Sequence, residues 1–312
     1  MINACIVGTG AIATQHIRAF KELGGVGVQW IISRRVEAAR DFSHHWQIER
    51  FGTELDVALG DSAVNLVVIT SPSELHVDQT ICSLRAGKDV IVEIPVALSL
   101  ADTERIVDLA QKLQRRVLVC HTMRSFPAIR EVRRRVQRDE LHLSHIIGFF
   151  AIPRRNNQGM SGQRRNWIDN LLWHHGCHMV DVAMWVLGVT SVKHVSAILG
   201  DANRQFGMIM DASVHFCTDK RQLVSNALTY NTGQFCWEVH FMGDEESLIY
   251  KNGRLSDEEG VQVIRESSWV DLVPQDKEML ESIAQGTPSE YDINTVLAPM
   301  KVLHQAEVSA AA

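Results

Sequence analysis

The first dozen residues carry the pattern that most constrains the fold. An apolar run, Ile2 to Val7, leads directly into the turn Gly8-Thr9-Gly10-Ala11-Ile12-Ala13. The stretch from about Thr14 to Leu23 predicts a helix, and Val26 to Ile32 predicts a second strand. A GxGxxA turn in this context is the dinucleotide fingerprint, because its glycines permit a tight turn and a close approach of the pyrophosphate to the helix N-terminus. We therefore favour a cofactor site over a plain tight turn, at Gly8, Gly10, Ala11 and Ile12.

The end of the second strand indicates which dinucleotide is bound. A site that prefers NAD usually has Asp or Glu there, which binds the ribose 2′-hydroxyl. This chain has Ser33-Arg34-Arg35, and a hydroxyl with guanidinium groups suits a 2′-phosphate instead. We predict NADP as the cofactor, with NAD possible. The alternative is that the arginines are solvated surface side chains.

Three more apolar runs predict the rest of a sheet: Leu66 to Thr70, Val90 to Val92 and Val117 to Cys120. Helical stretches lie between them, the clearest from Ala101 to Gln114. Strands that alternate with helices predict an α/β fold with a parallel sheet and right-handed crossovers. The sequence therefore predicts a Rossmann, doubly wound domain over residues 1–120.

A different pattern follows residue 120. Alternating or apolar stretches cover residues 144–152, 208–216, 223–230, 235–242 and 247–249. Such stretches are typical of an antiparallel sheet with one solvated face. We therefore predict that residues 121–312 form an α+β domain, for substrate binding and dimerisation, with a large, mainly antiparallel open sheet.

Composition excludes several classes of protein. The formal net charge of −6 and the absence of a basic domain argue against nucleic acid as a partner. The six cysteines contain no CxxC pair, which favours reduced thiols over a disulfide framework. The N-terminus runs straight into a strand, and no apolar run approaches the roughly 20 residues of a membrane helix. We expect a cytoplasmic protein without a membrane partner.

Histidines cluster in the second half of the chain. His174, His175, His178 and Asp181 lie within eight positions, and a helix would place His174, His178 and Asp181 on one side. Histidine is the side chain best suited to proton exchange near neutral pH. The spacing is similar to the zinc motif HExxH, but His175 replaces its glutamate. We favour an acid/base site over a metal site or a purely structural helix, and we expect no metal.

Arginines mark candidate contacts for an anionic substrate. The polar loop 153–166 lies between a strand and the histidine helix, which favours a binding lid over a surface excursion. Its candidates are Arg155, Asn157 and Arg165. Arg124, four residues beyond a predicted strand, is the first candidate for a substrate carboxylate.

Several of these motifs together resemble the Gfo/Idh/MocA family of nicotinamide oxidoreductases. The pattern is strand-[TS]P-x-x-x-H, then AGK-x-V-x-x-E-x-P, then R-x-x-P at a crossover. The resemblance implies that the cofactor also contacts Thr70, Ser71, Pro72, His76 and Glu93. The family usually has lysine between Glu93 and Pro95, where this chain has Ile94. Isoleucine exchanges no proton, so the usual lysine-assisted mechanism is in doubt.

The resemblance also implies site residues in the histidine segment. Aligned on the family motif, His178 occupies the catalytic histidine position, and His174 replaces an acidic partner. His175 and Asp181 are expected near the substrate. The family implies a homodimer through the open sheet.

A narrower resemblance rests on residues 93–95, 121–127 and 154–181. This combination is similar to the 4-carboxy-2-hydroxymuconate-6-semialdehyde dehydrogenases of protocatechuate 4,5-cleavage. It implies NADP-dependent oxidation of a cyclic hemiacetal to 2-pyrone-4,6-dicarboxylate, a small carboxylated substrate. The alternatives are a sugar or polyol dehydrogenase of the same family and a cofactor-sensing regulator without turnover.

Overall fold

The computed structural model describes residues 1–154, 156–158, 168, 170–205, 207–265 and 271–311. They divide into two units. The first comprises Met1–His121 with Val270–Leu297, and the second comprises Thr122–Trp269 with Ala298–Ala312. Among the helices described, none is long and apolar enough to cross a membrane.

The strands of the described chain are β1 (Ile2–Val7), β2 (Val26–Ile32), β3 (Arg50–Gly52), β4 (Leu66–Ile69), β5 (Asp89–Val92), β6 (Val117–Val119), β7 (Leu143–Ala151), β8 (Val192–Leu199), β9 (Asp211–Thr218), β10 (Leu223–Thr229), β11 (Cys236–Gly243), β12 (Ser247–Lys251), β13 (Arg254–Asp257) and β14 (Gln262–Arg265). Its α-helices are α1 (Ala11–Leu23), α2 (Val36–Trp46), α3 (Leu55–Leu59), α4 (His76–Arg85), α5 (Leu100–Leu113), α6 (Pro127–Gln137), α7 (Leu171–Leu187), α8 (Val273–Gln285) and α9 (Ile293–Ala310). Two short 3₁₀ segments lie at Ser73–Leu75 and Thr122–Ser125.

The first unit contains the predicted Rossmann sheet. Its six strands are all parallel and lie in the order β3-β2-β1-β4-β5-β6. The chain first adds strands on one side of β1 and then, from β4 onward, on the other side, so the strand order reverses between β1 and β4. The central strands β1 and β4 are almost fully buried, since parallel sheets carry helices on both faces. Dinucleotides bind outside the carboxyl ends of such strands, at the point of reversal. The predicted doubly wound fold is confirmed.

Helix α8 belongs to the first unit, which differs from the predicted division at residue 120. Met279 and Leu280 of α8 share a buried apolar cluster with Ile17 and Phe20 of α1. The backbone of Tyr291 accepts a hydrogen bond from Val119 at 2.8 Å. The chain therefore returns to the first unit after the second sheet. Local sequence patterns do not report contacts over such separations, so the prediction assigned this segment to the second domain.

The second unit is built on an eight-stranded sheet in the order β14-β13-β12-β11-β7-β10-β9-β8. Its neighbours are antiparallel except for β7 and β10, which are parallel. Side chains alternate between buried and exposed along β9 and β10, and α7 packs on the buried face. The predicted large, mainly antiparallel sheet is confirmed.

A buried ion pair fastens α7 inside this unit. Arg124 and Asp181 are 2% and 1% exposed. The Arg124 Nε donates to Asp181 Oδ2 at 2.9 Å, and its Nη2 donates to Oδ1. The predicted contacts of Arg124 and Asp181 with the substrate stay predictions, and the structure shows that the two side chains pair with each other. A buried charge must be compensated by a counter-ion, and these two groups compensate each other through a two-pronged contact.

Replacing Arg124 with methionine should be strongly destabilising, because the Asp181 carboxylate would lose its buried counter-ion. We expect the free energy of unfolding to fall by about 3–5 kcal/mol, and Arg124→Met/Asp181→Leu should recover part of that loss. Urea denaturation followed by circular dichroism measures both.

The control is Arg105→Met, which removes a 61%-exposed arginine paired with Asp102. An exposed pair of this kind contributes about 0–1 kcal/mol. A loss for Arg124→Met as small as that of the control would contradict the structural role of the buried pair.

Candidate active site

The turn after β1 requires glycine at its first position. Gly8 has a φ of +120°, a conformation that other residues rarely adopt. A Cβ atom there would lie 2.8 Å from the carbonyl oxygen of Thr70, and closer still to the Thr70 Oγ1. The Gly8 N–H donates to the Ile32 carbonyl at 2.8 Å. Gly8 therefore lets the ends of β1, β2 and β4 converge.

The second glycine of the turn leaves room in front of a helix. Gly10 is the N-cap of α1, and among the described residues no atom beyond its chain neighbours lies within 4 Å of the position that its Cβ would occupy. Ala11 and Ile12 open the helix, whose first turn contains no acidic residue. The unsatisfied N–H groups of a first helical turn attract anions. This space suits a pyrophosphate, as the fingerprint predicts.

Polar and cationic groups follow β2. The Ser33 N–H donates to the Gly52 carbonyl at 3.1 Å, and the Ser33 Oγ lies 3.4 Å from the Thr9 Oγ1. Arg34 and Arg35 are exposed, and Arg35 is the N-cap of α2. This end of β2 thus offers a hydroxyl and two guanidinium groups to an anion.

His76 lies behind the loops that follow β4 and β5. It is 1% exposed, and its Nδ1 and Nε2 each lie 2.8 Å from a backbone carbonyl, those of Pro95 and Ser71. Burial lowers the pKa of His76, although the two carbonyls oppose that shift. The ring therefore links one loop to the other, and its predicted contact with the cofactor stays a prediction. Thr70 is similarly turned inward, since its Oγ1 donates to the Val7 carbonyl at 2.9 Å.

Glu93 follows β5 at the carboxyl edge of the sheet, and its side chain is 14% exposed. Its Oε2 accepts a hydrogen bond from the Ile94 N–H at 3.3 Å. Its Oε1 lies 3.1 Å from the Nε2 of His16, a residue that the sequence analysis did not single out. The inward position of His16 on α1 could have been read from the helical period. Its partner Asp276 carries no such signal.

The residues His16, Glu93 and Cys120 are the group in the described ranges whose spacing could hold a metal ion, with ligand atoms within 4.8 Å of one another. Burial opposes the charge of His16, but the Asp276 carboxylate, together with hydrogen bonds from the imidazole to Cys120 and Glu93, raises the pKa of His16 well above the usual value. A protonated imidazole has no lone pair for a metal. Burial also raises the pKa of the Cys120 thiol. The chemistry of this donor set therefore fits a hydrogen-bonded network better than a metal centre.

Helix α7 presents two histidines from an otherwise buried surface. It has 17 residues, and every one of them is buried except His174 and His178. The Asn170 side chain caps the helix by accepting a hydrogen bond from the Trp173 N–H at 3.2 Å. The predicted polar side was broader and included Asp181, which is buried instead. The helix therefore leaves two imidazoles, one turn apart, partly exposed.

Each of these two imidazoles lies against another ring. The His178 ring lies 5.5 Å from the Trp237 ring, and the His174 ring meets the edge of His175 at 4.4 Å. His175 is only 8% exposed and packs on Phe150 at 4.5 Å. Neighbouring residues of a helix point about 100° apart, so His175 turns into the sheet. His175 thus packs within the unit, and its predicted contact with the substrate stays a prediction.

The polar loop before α7 is described only in part. Asn157 is partly exposed, whereas Arg155 and Arg165 lie outside the described residues, so their roles stay predictions. Arg154, which the sequence analysis did not select, is 6% exposed, and its guanidinium lies 5.1 Å from the Tyr230 ring. The same Tyr230 ring lies 5.5 Å from His175. A cation is thus held near the histidine cluster.

Comparisons with known proteins agree with this geometry. A family model described as an oxidoreductase family with an NAD-binding Rossmann fold matches residues 2–121. A second, described as bacterial oxidoreductases, C-terminal, matches residues 127–267.

Among curated proteins, 4-carboxy-2-hydroxymuconate-6-semialdehyde dehydrogenase of Sphingobium sp. is 29% identical over 98% of each chain. The 1,5-anhydro-D-fructose reductase of Ensifer adhaerens is 24% identical over 87% of this chain and 82% of its own. Among solved structures, GenD2 from gentamicin A biosynthesis in complex with NAD superposes with a TM-score of 0.87 at 19% identity, over 99% of this chain and 94% of its own. That last likeness concerns the fold.

The two family models together span most of the chain, and they match the two units in which the fingerprint turn and the histidine helix lie. The chain therefore belongs to the Gfo/Idh/MocA family of oxidoreductases, and it is a nicotinamide-dependent dehydrogenase that acts on a CH–OH group.

Proposed function

We propose that this dehydrogenase oxidises the cyclic hemiacetal of 4-carboxy-2-hydroxymuconate-6-semialdehyde to 2-pyrone-4,6-dicarboxylate, with NADP as the cofactor. The observation that carries the proposal is the pair His174 and His178, the two partly exposed positions of an otherwise buried helix. A relative with this activity, 29% identical over nearly the whole chain, supports it.

The pair supplies the base that the reaction needs. Converting a hemiacetal CH–OH group into a lactone carbonyl removes one hydride and one proton. The bound nicotinamide would accept the hydride. We assign removal of the hydroxyl proton to His178, and His174, one turn away, orients it or passes the proton on. A hemiacetal hydroxyl is more acidic than that of a simple alcohol, so a neutral imidazole suffices.

Ile94 supports an imidazole base. It follows Glu93 directly, is 7% exposed and carries no proton to exchange. In the site that we propose, the proton must therefore leave through another side chain. The histidines of α7 combine suitable chemistry with access to a substrate.

Cations in the second unit favour an acidic substrate. The pyrone product carries two carboxylates, which guanidinium groups bind well. With Arg124 committed to Asp181, we assign the carboxylates to Arg154, Arg155 and Arg165, with Asn157 as a polar contact. A sugar or polyol substrate is the second candidate, and it is favoured by the similarity to 1,5-anhydro-D-fructose reductase.

The first unit would hold the cofactor along the carboxyl edge of its sheet. Gly8, Gly10, Ala11 and Ile12 would receive the pyrophosphate, and Ser33, Arg34 and Arg35 the 2′-phosphate. Ser71, Pro72 and Glu93 complete this edge. The two exposed arginines, without an acidic residue at the end of β2, are the support for NADP over NAD.

The proposal is tested by cofactor reduction on a substrate panel. The panel comprises the product of protocatechuate 4,5-dioxygenase, myo-inositol and 1,5-anhydro-D-glucitol, each with NADP and with NAD. We expect rapid reduction only with the ring-cleavage product, and a higher kcat/KM with NADP. Turnover of a polyol alone would refute the substrate, and a preference for NAD would refute the role of the arginines.

The role of His178 is tested by replacing it with asparagine. Loss of a general base should lower kcat at least about a hundredfold, because proton removal then depends on water. We expect a smaller loss for His174→Asn. His142→Asn is the control, since His142 is 58% exposed and bonded to Asp139. A kcat for His178→Asn equal to that of the control would eliminate the assignment.

We also propose that the chain forms a homodimer through the open face of its sheet. Ile147, Phe149, Ile198, Leu223 and Met242 are 36–74% exposed there, an apolar concentration that a monomer rarely shows to solvent. Glu238 and Lys251 on the same face pair at 2.7 Å, so they leave little net charge to repel a second copy.

A single charge in this face should separate the dimer. We expect wild type to have the mass of a dimer by light scattering, and Phe149→Asp that of a monomer. Val57→Asp is the control, because Val57 is an exposed apolar residue of the first unit. A monomeric wild type, or an unchanged mass for Phe149→Asp, would contradict the proposed interface.

A further inference from the structure

One cluster of charged side chains in the first unit lies behind the carboxyl edge of the sheet, and the mechanism above does not use it. His16 on α1 is fully buried, and so is Asp276 on α8. The His16 Nδ1 lies 2.8 Å from Asp276 Oδ2, and its Nε2 lies 3.1 Å from Glu93 Oε1. One imidazole therefore joins a fully buried carboxylate to one that is partly exposed.

The charges of this cluster fit a protonated imidazole. Burial opposes a charge on His16, but the attraction of Asp276 and the hydrogen bonds that the imidazole makes to Asp276, Cys120 and Glu93 raise its pKa well above the ordinary value. With a proton on each nitrogen, the ring donates to both carboxylates at once. His16 then behaves as a buried cation between two anions.

The groups around His16 come from each element packed against it. Asp276 comes from α8, Glu93 from the end of β5 and Cys120 from the end of β6. Burial raises the pKa of the Cys120 thiol, so Cys120 carries no charge near neutral pH. Gln275 donates to the second oxygen of Asp276 at 3.3 Å. His76 is a further titratable neighbour of Glu93, and burial lowers its pKa.

Glu93 is the partly exposed member of the cluster, and its surroundings indicate what the cluster does. The Glu93 Oε1 is held by His16, and its Oε2 accepts the Ile94 N–H at 3.3 Å. Both oxygens are thus restrained on one side, while the carboxylate keeps some exposure at the cofactor edge. A carboxylate at such an edge accepts hydrogen bonds from ribose hydroxyls.

The position of Glu93 in the sheet identifies which half of the cofactor it faces. A dinucleotide-binding sheet consists of two mononucleotide halves, and the fingerprint turn with the end of β2 serves the adenosine half. Glu93 follows β5, which lies on the opposite side of the strand reversal. Its partner is therefore the nicotinamide half.

We propose that His16 and Asp276 are positioning residues, which hold the Glu93 carboxylate toward the ribose of the nicotinamide half of the bound dinucleotide. This inference rests on the proposed cofactor site and not on the proposed substrate. It also gives α8 a function, because the segment that returns to the first unit supplies the buried anion.

The proposal has a consequence for pH. The pKa of His16 is raised in the folded protein, so its stabilising contribution is complete below the unfolded value of about 6.5. That contribution is lost as the pH rises through the raised folded value. Removing the Asp276 charge should lower the folded pKa of His16, so the positive charge that holds the Glu93 carboxylate would be lost at a lower pH.

Binding measurements with Asp276→Asn test the proposal. Dissociation constants are measured between pH 6 and 9 for NADPH and NADH, and for 2′,5′-ADP and ADP, which lack the nicotinamide half. We expect Asp276→Asn to weaken the complete dinucleotides about tenfold, as for the loss of one charged hydrogen bond, and to leave the adenosine fragments within about twofold. The loss should grow with pH in the variant and stay flat in wild type near neutrality.

Met279→Leu is the matched control, because Met279 lies on the same helix and in the same buried cluster but carries no charge. It should leave all four dissociation constants unchanged. Equal weakening of fragments and dinucleotides in Asp276→Asn would show a merely structural role and overturn the proposal. So would an unchanged affinity without a new pH dependence.

A second set of variants covers the case in which Asp276→Asn does not fold. His16→Gln and Glu93→Gln are measured singly and together, with NADPH as the ligand. If His16 acts through Glu93, the double variant should bind no more than about twofold worse than Glu93→Gln alone. Additive losses would overturn the proposal.

The fragments also separate this inference from the cofactor proposal. If the wild-type protein binds neither 2′,5′-ADP nor ADP, the proposed cofactor site is refuted, and the positioning role of His16 and Asp276 is refuted with it. If the wild-type protein binds the fragments and every variant binds the dinucleotides as tightly as wild type does, only the positioning role is refuted. None of these measurements depends on the substrate.

Discussion

The close approach of Gly8 to Thr70 is the contact on which the first unit depends. A side chain at Gly8 would collide with the backbone of Thr70, and the ends of β1 and β4 could not lie side by side. Their convergence leaves the first turn of α1 open at Gly10 and brings the residues after β2, β4 and β5 to one edge. The shape of this edge thus depends on the absence of a side chain at Gly8.

In both units, buried charged side chains are paired with a side chain of opposite charge. Arg124 with Asp181, and His16 with Asp276, are charged groups removed from water and neutralised by each other. Because an uncompensated buried charge is costly, such groups are committed to their partners. The groups that remain accessible are the ones available for chemistry. In α7 the residues that are not buried are His174 and His178, to which we assign the proposed proton transfer.

Much of the site could be predicted because its signals are local. The fingerprint turn, the Ser33-Arg34-Arg35 segment and the histidine spacing each lie within a few residues of sequence. The partners of other predicted site residues could not be predicted in this way. Arg124, His76 and His175 have suitable chemistry for binding a ligand, but in the structure each contacts a partner within its own unit. His16 and Asp276 were missed because they meet across 260 positions of the chain.

The sequence by itself determined the two kinds of sheet and the family, since strand periodicity, turn glycines and motif spacing depend on neighbouring residues. It also determined that a cofactor edge and a histidine helix exist. Only the tertiary structure decided that α8 belongs to the first unit, and which charged side chains face solvent and which face one another. The physical reason is that burial and ion pairing depend on contacts between distant segments. The same type of residue can therefore lie in a functional site or in the protein core.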